Sequence, residues 1–516
     1  MPQITMISQH ARMSFCTFAC SASLLDEIHR RQAEQTIYAL SSGSGRAGIA
    51  VIRISGPFAL ECLRKIMDEK QKLPPTRMAC VRRLLQPVVD AHSPDARTPL
   101  DNALVLSFRG PQSFTGEDMV ELHLHGSASV IAGTLEALQQ LGLQAAAAGD
   151  FTRRAFANNK LDLTEVEGLA DLLDAETEVQ RVQALQQMGG ALSDLYENWR
   201  STLLHSLAHL EAVIDFADEE DDVDGQKDTI LAEVGERVRE LSDAMQTHLD
   251  DAHRGELVRS GVNVALVGAP NAGKSSLLNM LAKRPAAIVS PEPGTTRDVV
   301  DVTLNLAGFP VRVSDTAGLR AGSNAVEREG VRRAKAVVSE AQIQLLVVDG
   351  ADTEADAAGW DDWWNQHVGS LARDARMFVV VNKSDLVSGK ASTELTRKCD
   401  ERFEQAAQVL SLSCVSGDGV AALEKALASA VQDMLCPNSR SDGVDGLPAL
   451  AITRSRHRGH VSVALAELNK AEQCMGEVEL SAEHLRRCSD SLGQIVGRLG
   501  VEEILDVVFR DFCIGK

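Results

Sequence analysis

The run Gly268-Ala-Pro-Asn-Ala-Gly273-Lys274-Ser275 fits the pattern G-x-x-x-x-G-K-S/T. It follows a short apolar stretch over 262–268 and opens a helical one. In that setting backbone N–H groups wrap phosphates and a helix N-terminus faces them. Lys274 would reach the β- and γ-phosphates and Ser275 would bind Mg2+, while Asn271, Ala272, Gly273 and Ser276 line the same loop. Asp315-Thr316-Ala317-Gly318 follows a second apolar run, where a Mg2+-associated Asp and a γ-phosphate-sensing Gly belong. Asn382-Lys383-Ser384-Asp385 follows a third and matches the N-K-x-D element that reads guanine, with Asp385 accepting from N1–H and the exocyclic amine. Ser413 and Cys414 occupy the supporting loop. Thr295 and Thr296 lie between the first and second elements, where a switch Thr, assigned to Thr296, ligates Mg2+. Order and spacing together indicate GTP rather than ATP.

Leu319 stands where Ras-like proteins carry a water-orienting Gln, and it can neither donate to water nor accept from it. Hydrolysis then needs another device. Asn271 is placed to help hold a monovalent cation beside the phosphates. Glu327 is either the water-positioning base or a surface carboxylate.

The elements that must carry these residues divide the chain. Between 36 and 149, strand patterns at 36–40, 49–56, 101–109 and 119–125 alternate with helical ones at 57–68 and 127–141, an α+β arrangement. From 151 to about 254 apolar residues recur at helical spacing. From 261, short apolar strands at 262–268, 311–314, 343–349 and 377–381 alternate with helices, the signature of a doubly wound α/β domain. Helix returns over 461–512. We therefore expect a multidomain α/β protein with an N-terminal α+β domain at 34–150, a helical domain at 151–255 and 438–516, and a Ras-like P-loop GTPase domain inserted at 256–437.

Composition narrows the function classes. The 516 residues carry 52 Lys+Arg against 73 Asp+Glu, a net charge of −21. That balance opposes broad nucleic-acid binding, because phosphate affinity comes from dense Lys and Arg. Any such partner must meet a local basic patch or be held by a second protein. Aromatic residues are 4% of the chain, few for stacking on single strands. The ten cysteines are scattered without zinc-ligand spacing and read as reduced thiols. No apolar run is long enough to span a membrane. Residues 1–33 are poor in acids and contain Ser and Arg, which fits a mitochondrial presequence or a disordered tail. The densest basic cluster, Arg454, Arg456, His457, Arg458 and His460, is either a tRNA-facing patch or a solvated helix start.

Several long motifs then occur in one order. They are Gly48-Ile-Ala-Val-Ile-Arg53-Ile-Ser-Gly56, Gly110-Pro-Gln-Ser-Phe-Thr-Gly-Glu-Asp118 with Glu121, Phe151-Thr-Arg-Arg-Ala-Phe-Ala-Asn-Asn-Lys160-Leu-Asp-Leu163, Pro293-Gly-Thr-Thr-Arg-Asp298, Asp315-Thr-Ala-Gly-Leu-Arg320 and the terminal Phe512-Cys-Ile-Gly-Lys516. From residue 35 onward the chain resembles the tRNA modification GTPase family MnmE (TrmE), most closely its mitochondrial form. The resemblance implies an N-terminal folate-binding domain that makes a homodimer. In it Arg53, Glu121, Lys160 and Lys516 hold a 5-formyl or 5,10-methylene tetrahydrofolate. It implies K+-dependent pairing of the GTPase domains, with Asn271, Ser290, Glu292 and Thr295 as K+ ligands and Glu327 orienting water. It further implies a flavoprotein partner of the MnmG type, and C5 modification of the wobble uridine of tRNA in the mitochondrial matrix, with taurine the expected amine in animals. Cys513, three residues from the C-terminus, becomes a candidate nucleophile or acid/base in the one-carbon step. His125-Gly126-Ser127 departs from the family's His-Gly-Gly, and His123 and His125 read as packed or turn histidines. A competing reading is a regulatory GTPase of ribosome assembly, which transfers no carbon and needs neither the folate motifs nor the terminal one.

Overall fold

The computed structural model describes residues 31, 35–43, 45–88, 97–215, 224–288, 301–315, 336–351, 375–387, 397, 406–436, 452–498, 512 and 514–515. Two compact units emerge, residues 1–170 with 496–516, and residues 171–495.

The first unit is built on a six-stranded sheet. Its strands are β1 (Ile37–Leu40), β2 (Ile49–Ser55), β3 (Cys80–Leu85), β4 (Pro99–Phe108), β5 (Met119–His125) and the short β6 (Gln144–Ala145), in the order β3-β4-β5-β2-β1-β6. All neighbours are antiparallel except β1 and β6. Alternation sorts the side chains. Ile52 and Ile54 of β2 and Val120, Leu122 and Leu124 of β5 point into one core. Helix α1 (Ala59–Ile66) covers that core with Ala59, Cys62, Leu63 and Ile66, a stripe at helical spacing. Each such Leu or Ile contributes about 1.5–3 kcal/mol by burial. Helix α2 (Ala128–Gln140) adds Leu138 and starts at Ser127, whose side chain accepts from the Val130 amide. The serine that departs from His-Gly-Gly is thus an N-cap. Helix α3 (Asp150–Ala157) lies toward the opposite face, where Phe151 packs with Ile37, Ala39, Ala146 and Phe114.

The terminal motif is pinned to this sheet. Ile514 bridges Ala148, and Ser41 donates from Oγ to the Gly515 carbonyl at 2.9 Å. Gly515 takes φ +94, and a Cβ there would collide with the Leu40 carbonyl, so only glycine fits the close approach.

Helix α4 (Leu163–Asp174) ends in the second unit. There follow α5 (Glu178–Met188), opened by a Thr177–Gln180 capping box, α6 (Ala191–Asp215) and the long α7 (Asp224–Ser260). The seven-stranded sheet comprises β7 (Val262–Val267), β8 (Ala287–Ile288), β9 (Asp301–Leu306), β10 (Phe309–Asp315), β11 (Ile343–Asp349), β12 (Arg376–Asn382) and β13 (Ala406–Ser411), in the order β13-β12-β11-β7-β10-β9-β8. The strands from β13 to β10 run parallel, and β9 and β8 are antiparallel additions. Every residue of β11 is buried, as in a sheet covered on both faces. Helices α8 (Lys274–Leu281) and α9 (Val420–Leu435) pack Leu277, Leu278, Leu423 and Leu427 into its core. Helices α10 (Ser455–Gln473) and α11 (Val478–Val496) complete the helical part.

The strands expected at 119–125 and 343–349 match β5 and β11, and the 461–512 helix resolves into α10 and α11, with 499–511 outside the described residues. The cluster at the start of α10 is not an open basic face. His457 is fully buried, Arg454 pairs with Asp171 at 2.7 Å, Arg456 donates to the Gln494 and Ile495 carbonyls, and Arg458 pairs with Glu256. Arg454, Arg456 and His457 thus knit helices together, which corrects both expectations for these three, while Arg458 stays exposed beside its partner.

Candidate active site

Strand β7 delivers the phosphate loop, and α8 begins at its end. Asn271 and Gly273 both take positive φ, +66 and +98, turning successive amides inward. A Cβ on Gly273 would collide with Asn382 Nδ2, so the glycine allows the loop after β12 to press on the loop after β7. Lys274, 8% exposed, donates from Nζ to the carbonyls of Gly268 and Ala269, each at 3.0 Å. The ammonium is therefore held over the loop it would share with a phosphate.

Ser275 Oγ donates to Asp315 Oδ2 at 2.5 Å, joining the first turn of α8 to the end of β10. Asp315 Oδ1 is buried and has no hydrogen-bond partner among the described residues. A buried carboxylate oxygen without a donor beside a hydroxyl is a hard oxygen pair that suits Mg2+.

Asn382 closes the cradle. Its Nδ2 donates to the Ala272 carbonyl at 2.9 Å, and its Oδ1 accepts from the Cys414 amide at 3.3 Å. Asn382 is 2% exposed, so this bridge forms in a low-dielectric setting. Ser413 Oγ donates to Asp385 Oδ1 at 2.6 Å and accepts from the amides of Val415 and Ser416. The second oxygen of Asp385 has no partner among the described residues, an acceptor suited to a base edge carrying two N–H groups. Burial pushes the Cys414 thiol up, with a weaker opposing pull from Asn382, so it serves as packing and not as a thiolate. Sequence reasoning passed over Asp349, which ends β11, is 7% exposed and ion-pairs with Lys383. Its signal was an acid closing a strand that is apolar but for Gln344.

Asn271, Ala272, Gly273, Lys274, Ser275, Ser276, Asp315, Asn382, Lys383, Asp385, Ser413 and Cys414 thus belong to one set of loops at the carboxyl ends of parallel strands. Ser290, Glu292, Thr295, Thr296, Thr316, Ala317, Gly318 and Glu327 lie outside the described residues.

The first unit holds a separate polar constellation. Arg53 of β2 lies opposite Glu121 of β5, and Nε donates to Glu121 Oε1 at 2.9 Å. The Arg53 guanidinium sits 5.8 Å from the centroid of the Phe114 ring. His123 Nε2 is buried and approaches the other Glu121 oxygen at 3.5 Å without a hydrogen bond, so this histidine packs beside the pair. His125 is exposed and its Nδ1 lies 2.7 Å from Asp101. Ala39 is the β1 neighbour of Arg53, and Ser41, two residues on, holds Gly515. The terminal motif therefore ends near this pair. Lys160 is exposed after α3. Cys513 and Lys516 lie outside the described residues. A support network escaped the sequence: Glu117 Oε2 accepts from Ser55 Oγ and from Arg154, and Asn158 donates to the Thr115 carbonyl.

Residues 36–160 match the family described as GTP-binding protein TrmE N-terminus, and residues 163–513 match the MnmE helical domain. The chain is 47% identical over 486 residues to the tRNA modification GTPase MnmE of Parvibaculum lavamentivorans, covering 93% of this chain and 100% of that one. It is 46% identical over 486 residues to the mitochondrial 5-taurinomethyluridine-tRNA synthase subunit GTPB3 of Rattus norvegicus, covering 93% of each. The Danio rerio protein of the same name is 44% identical over 519 residues, covering 99% of each. Family models over both units and identities of this order across nearly the whole length make the chain a member of the MnmE (TrmE) family of tRNA modification GTPases.

Proposed function

We propose that this GTPase couples GTP hydrolysis to building an aminomethyl-type group at C5 of the wobble uridine of mitochondrial tRNAs, in the matrix, with a flavoprotein partner of the MnmG type. One observation supports the reading: the Asn382 bridge from the N-K-x-D loop to the G-x-x-x-x-G-K-S loop and a TrmE-type sheet bearing the Arg53–Glu121 pair occur on one chain. The names of the rat and zebrafish relatives support taurine as the amine and the mitochondrion as the place.

In this reading Asp385 reads guanine while Ser413 orients it, and Lys274 exchanges its carbonyl partners for phosphate oxygens. Ser275, Asp315 and Thr296 hold Mg2+, which supplies charge stabilisation at the transferring phosphoryl group. Asn271, with Ser290, Glu292 and Thr295, holds K+ in place of an arginine finger or Gln. Glu327 positions the water. In the homodimer's N-terminal sheet, Glu121 suits the amine edge of a pterin, and Arg53, Lys160 and Lys516 suit its anionic groups. The folate supplies the one-carbon unit, and Cys513 is the candidate nucleophile or acid/base for that step.

The test is GTP hydrolysis by the purified protein in matched K+ and Na+ buffers. The reading requires strong activation by K+. Equal rates in the two salts would remove the cation mechanism, and no hydrolysis in either would remove the reading itself.

A further inference from the structure

Many arginines in this chain answer a carboxylate. Arg109, Arg154, Arg254, Arg259, Arg284 and Arg376 all sit in ion pairs. Edge strand β3 and the segments beside it are different. Arg77 donates to the Gln112 carbonyl, Arg82 to the Lys72 and Val81 carbonyls, and Arg97 to the carbonyls of Gln86, Met67 and Lys65. These bonds fix the guanidinium positions and leave them without a carboxylate partner among the described residues. Lys65, Lys70, Lys72 and Arg83 are exposed beside them, and none of the four has an ion-pair partner among the described residues.

Hydrogen bonds hold the cluster as one surface. Asp68 N donates to the Arg83 carbonyl, Arg83 N to Gln71 Oε1, and Met67 bridges Leu84. A groove of about 420 Å3 runs along it, lined by Arg64, Met67, Asp68, Glu69, Gln71, Lys72 and Leu73. Residues 61–97 hold eight Lys and Arg against five Asp and Glu, Asp90 and Asp95 falling outside the described residues. The whole chain runs the other way, at 52 against 73. A positive island on a negative protein focuses a polyanion on one place, since the rest of the surface repels it.

We infer that this β3-edge surface binds the phosphate backbone of tRNA. The inference rests on the tRNA reading above and gives it a docking face, replacing the α10 cluster that the fold consumes. Phosphate contacts position without reading sequence, so the surface would hold different tRNAs alike.

The test uses the full-length protein with Lys65, Lys72 and Arg83 all changed to Glu, beside a control with Lys227, Lys283 and Lys425 all changed to Glu. Binding of total tRNA is measured by anisotropy from 50 to 300 mM salt. The patch triple should weaken binding at least tenfold and lower the salt slope by about 2–3, at roughly 0.7–0.9 for each phosphate no longer neutralised. GTP hydrolysis should be unchanged, which also reports intact folding, and a triple change to Gln should fall between. Equal losses in patch and control, or unchanged affinity and slope in the patch triple, would overturn the inference. Complementation separates the two readings. Wobble uridine restored by wild-type protein, with full tRNA binding by the patch triple, defeats only the surface. Failure of wild-type protein to restore it defeats the tRNA reading.

Discussion

Asn382 donates to the carbonyl of Ala272 at 2.9 Å, so the loop that would read the base and the loop that would cradle the phosphates form one hydrogen-bonded body. The bridge crosses between adjacent loops at the strand ends and lies on a glycine with no room for a side chain. In the proposed reading, recognition of guanine and grip on phosphate would be coupled, so that loosening one loosens the other.

Asn382→Ala should weaken both. It leaves the Ala272 carbonyl and the Cys414 amide without their partner in a buried place, a loss of about 1–3 kcal/mol, or roughly five- to 150-fold in GTP affinity. Fluorescent GTP and GDP titrations check this. A loss confined to base discrimination, with phosphate affinity intact, would contradict the coupling.

Asp315→Asn removes the carboxylate charge shared by Oδ2, which accepts from Ser275, and the buried, unpartnered Oδ1. Hydrolysis should fall at least a hundredfold, and chelation of Mg2+ should do the same to the wild type while adding little to the variant. Initial-rate assays with and without chelator decide it.

Arg53→Met and Glu121→Gln should each abolish binding of 5-formyltetrahydrofolate and leave GTP hydrolysis within about twofold, because each leaves half of a part-buried pair without its counter-charge. Calorimetry with the folate, beside a phosphate-release assay, separates the effects.

The helical core should show acid sensitivity from one residue. Tyr196 hydrogen-bonds His248 at 3.2 Å, and His248 stacks edge-on to Trp199. Burial, reinforced by nearby His457 and opposed by Asp251, pushes the His248 pKa down from 6.5 to about 4. The unfolded chain takes up that proton first, so stability is full above about pH 6.5 and falls as pH drops toward 4. The loss is of order 3 kcal/mol at 1.36 kcal/mol per unit. Urea melts between pH 7.5 and 4.5 should show it, and His248→Phe should flatten it. An equal decline in the variant would place the sensitivity elsewhere.

What could be read in advance follows from how each element is stabilised. Strands buried on both faces, such as β11, announce themselves as apolar runs, and the nucleotide loops carry backbone-specific residues at fixed spacing. Edge strand β3 was missed because adjacent Arg82 and Arg83 break the alternation that marks a half-buried strand. Strand β13 opens on Ala-Ala-Gln, which carries neither the β-branched residues nor the alternation that marks a strand. The α10 cluster misled because charge density says nothing about partners: Asp171, which pairs with Arg454 and also with Arg259, lies far away in the chain. Arg53 and Glu121 were legible only through their motifs, since cross-strand register is a tertiary fact.

The central claim is that nucleotide hydrolysis here serves wobble-uridine modification. Mass spectrometry of nucleosides from mitochondrial tRNA, after deleting the protein and restoring either the wild type or Asp315→Asn, tests it most directly. The account predicts that the C5-modified wobble uridine disappears on deletion, returns with the wild type and stays absent with the variant. An unchanged wobble uridine in the deletion would contradict it.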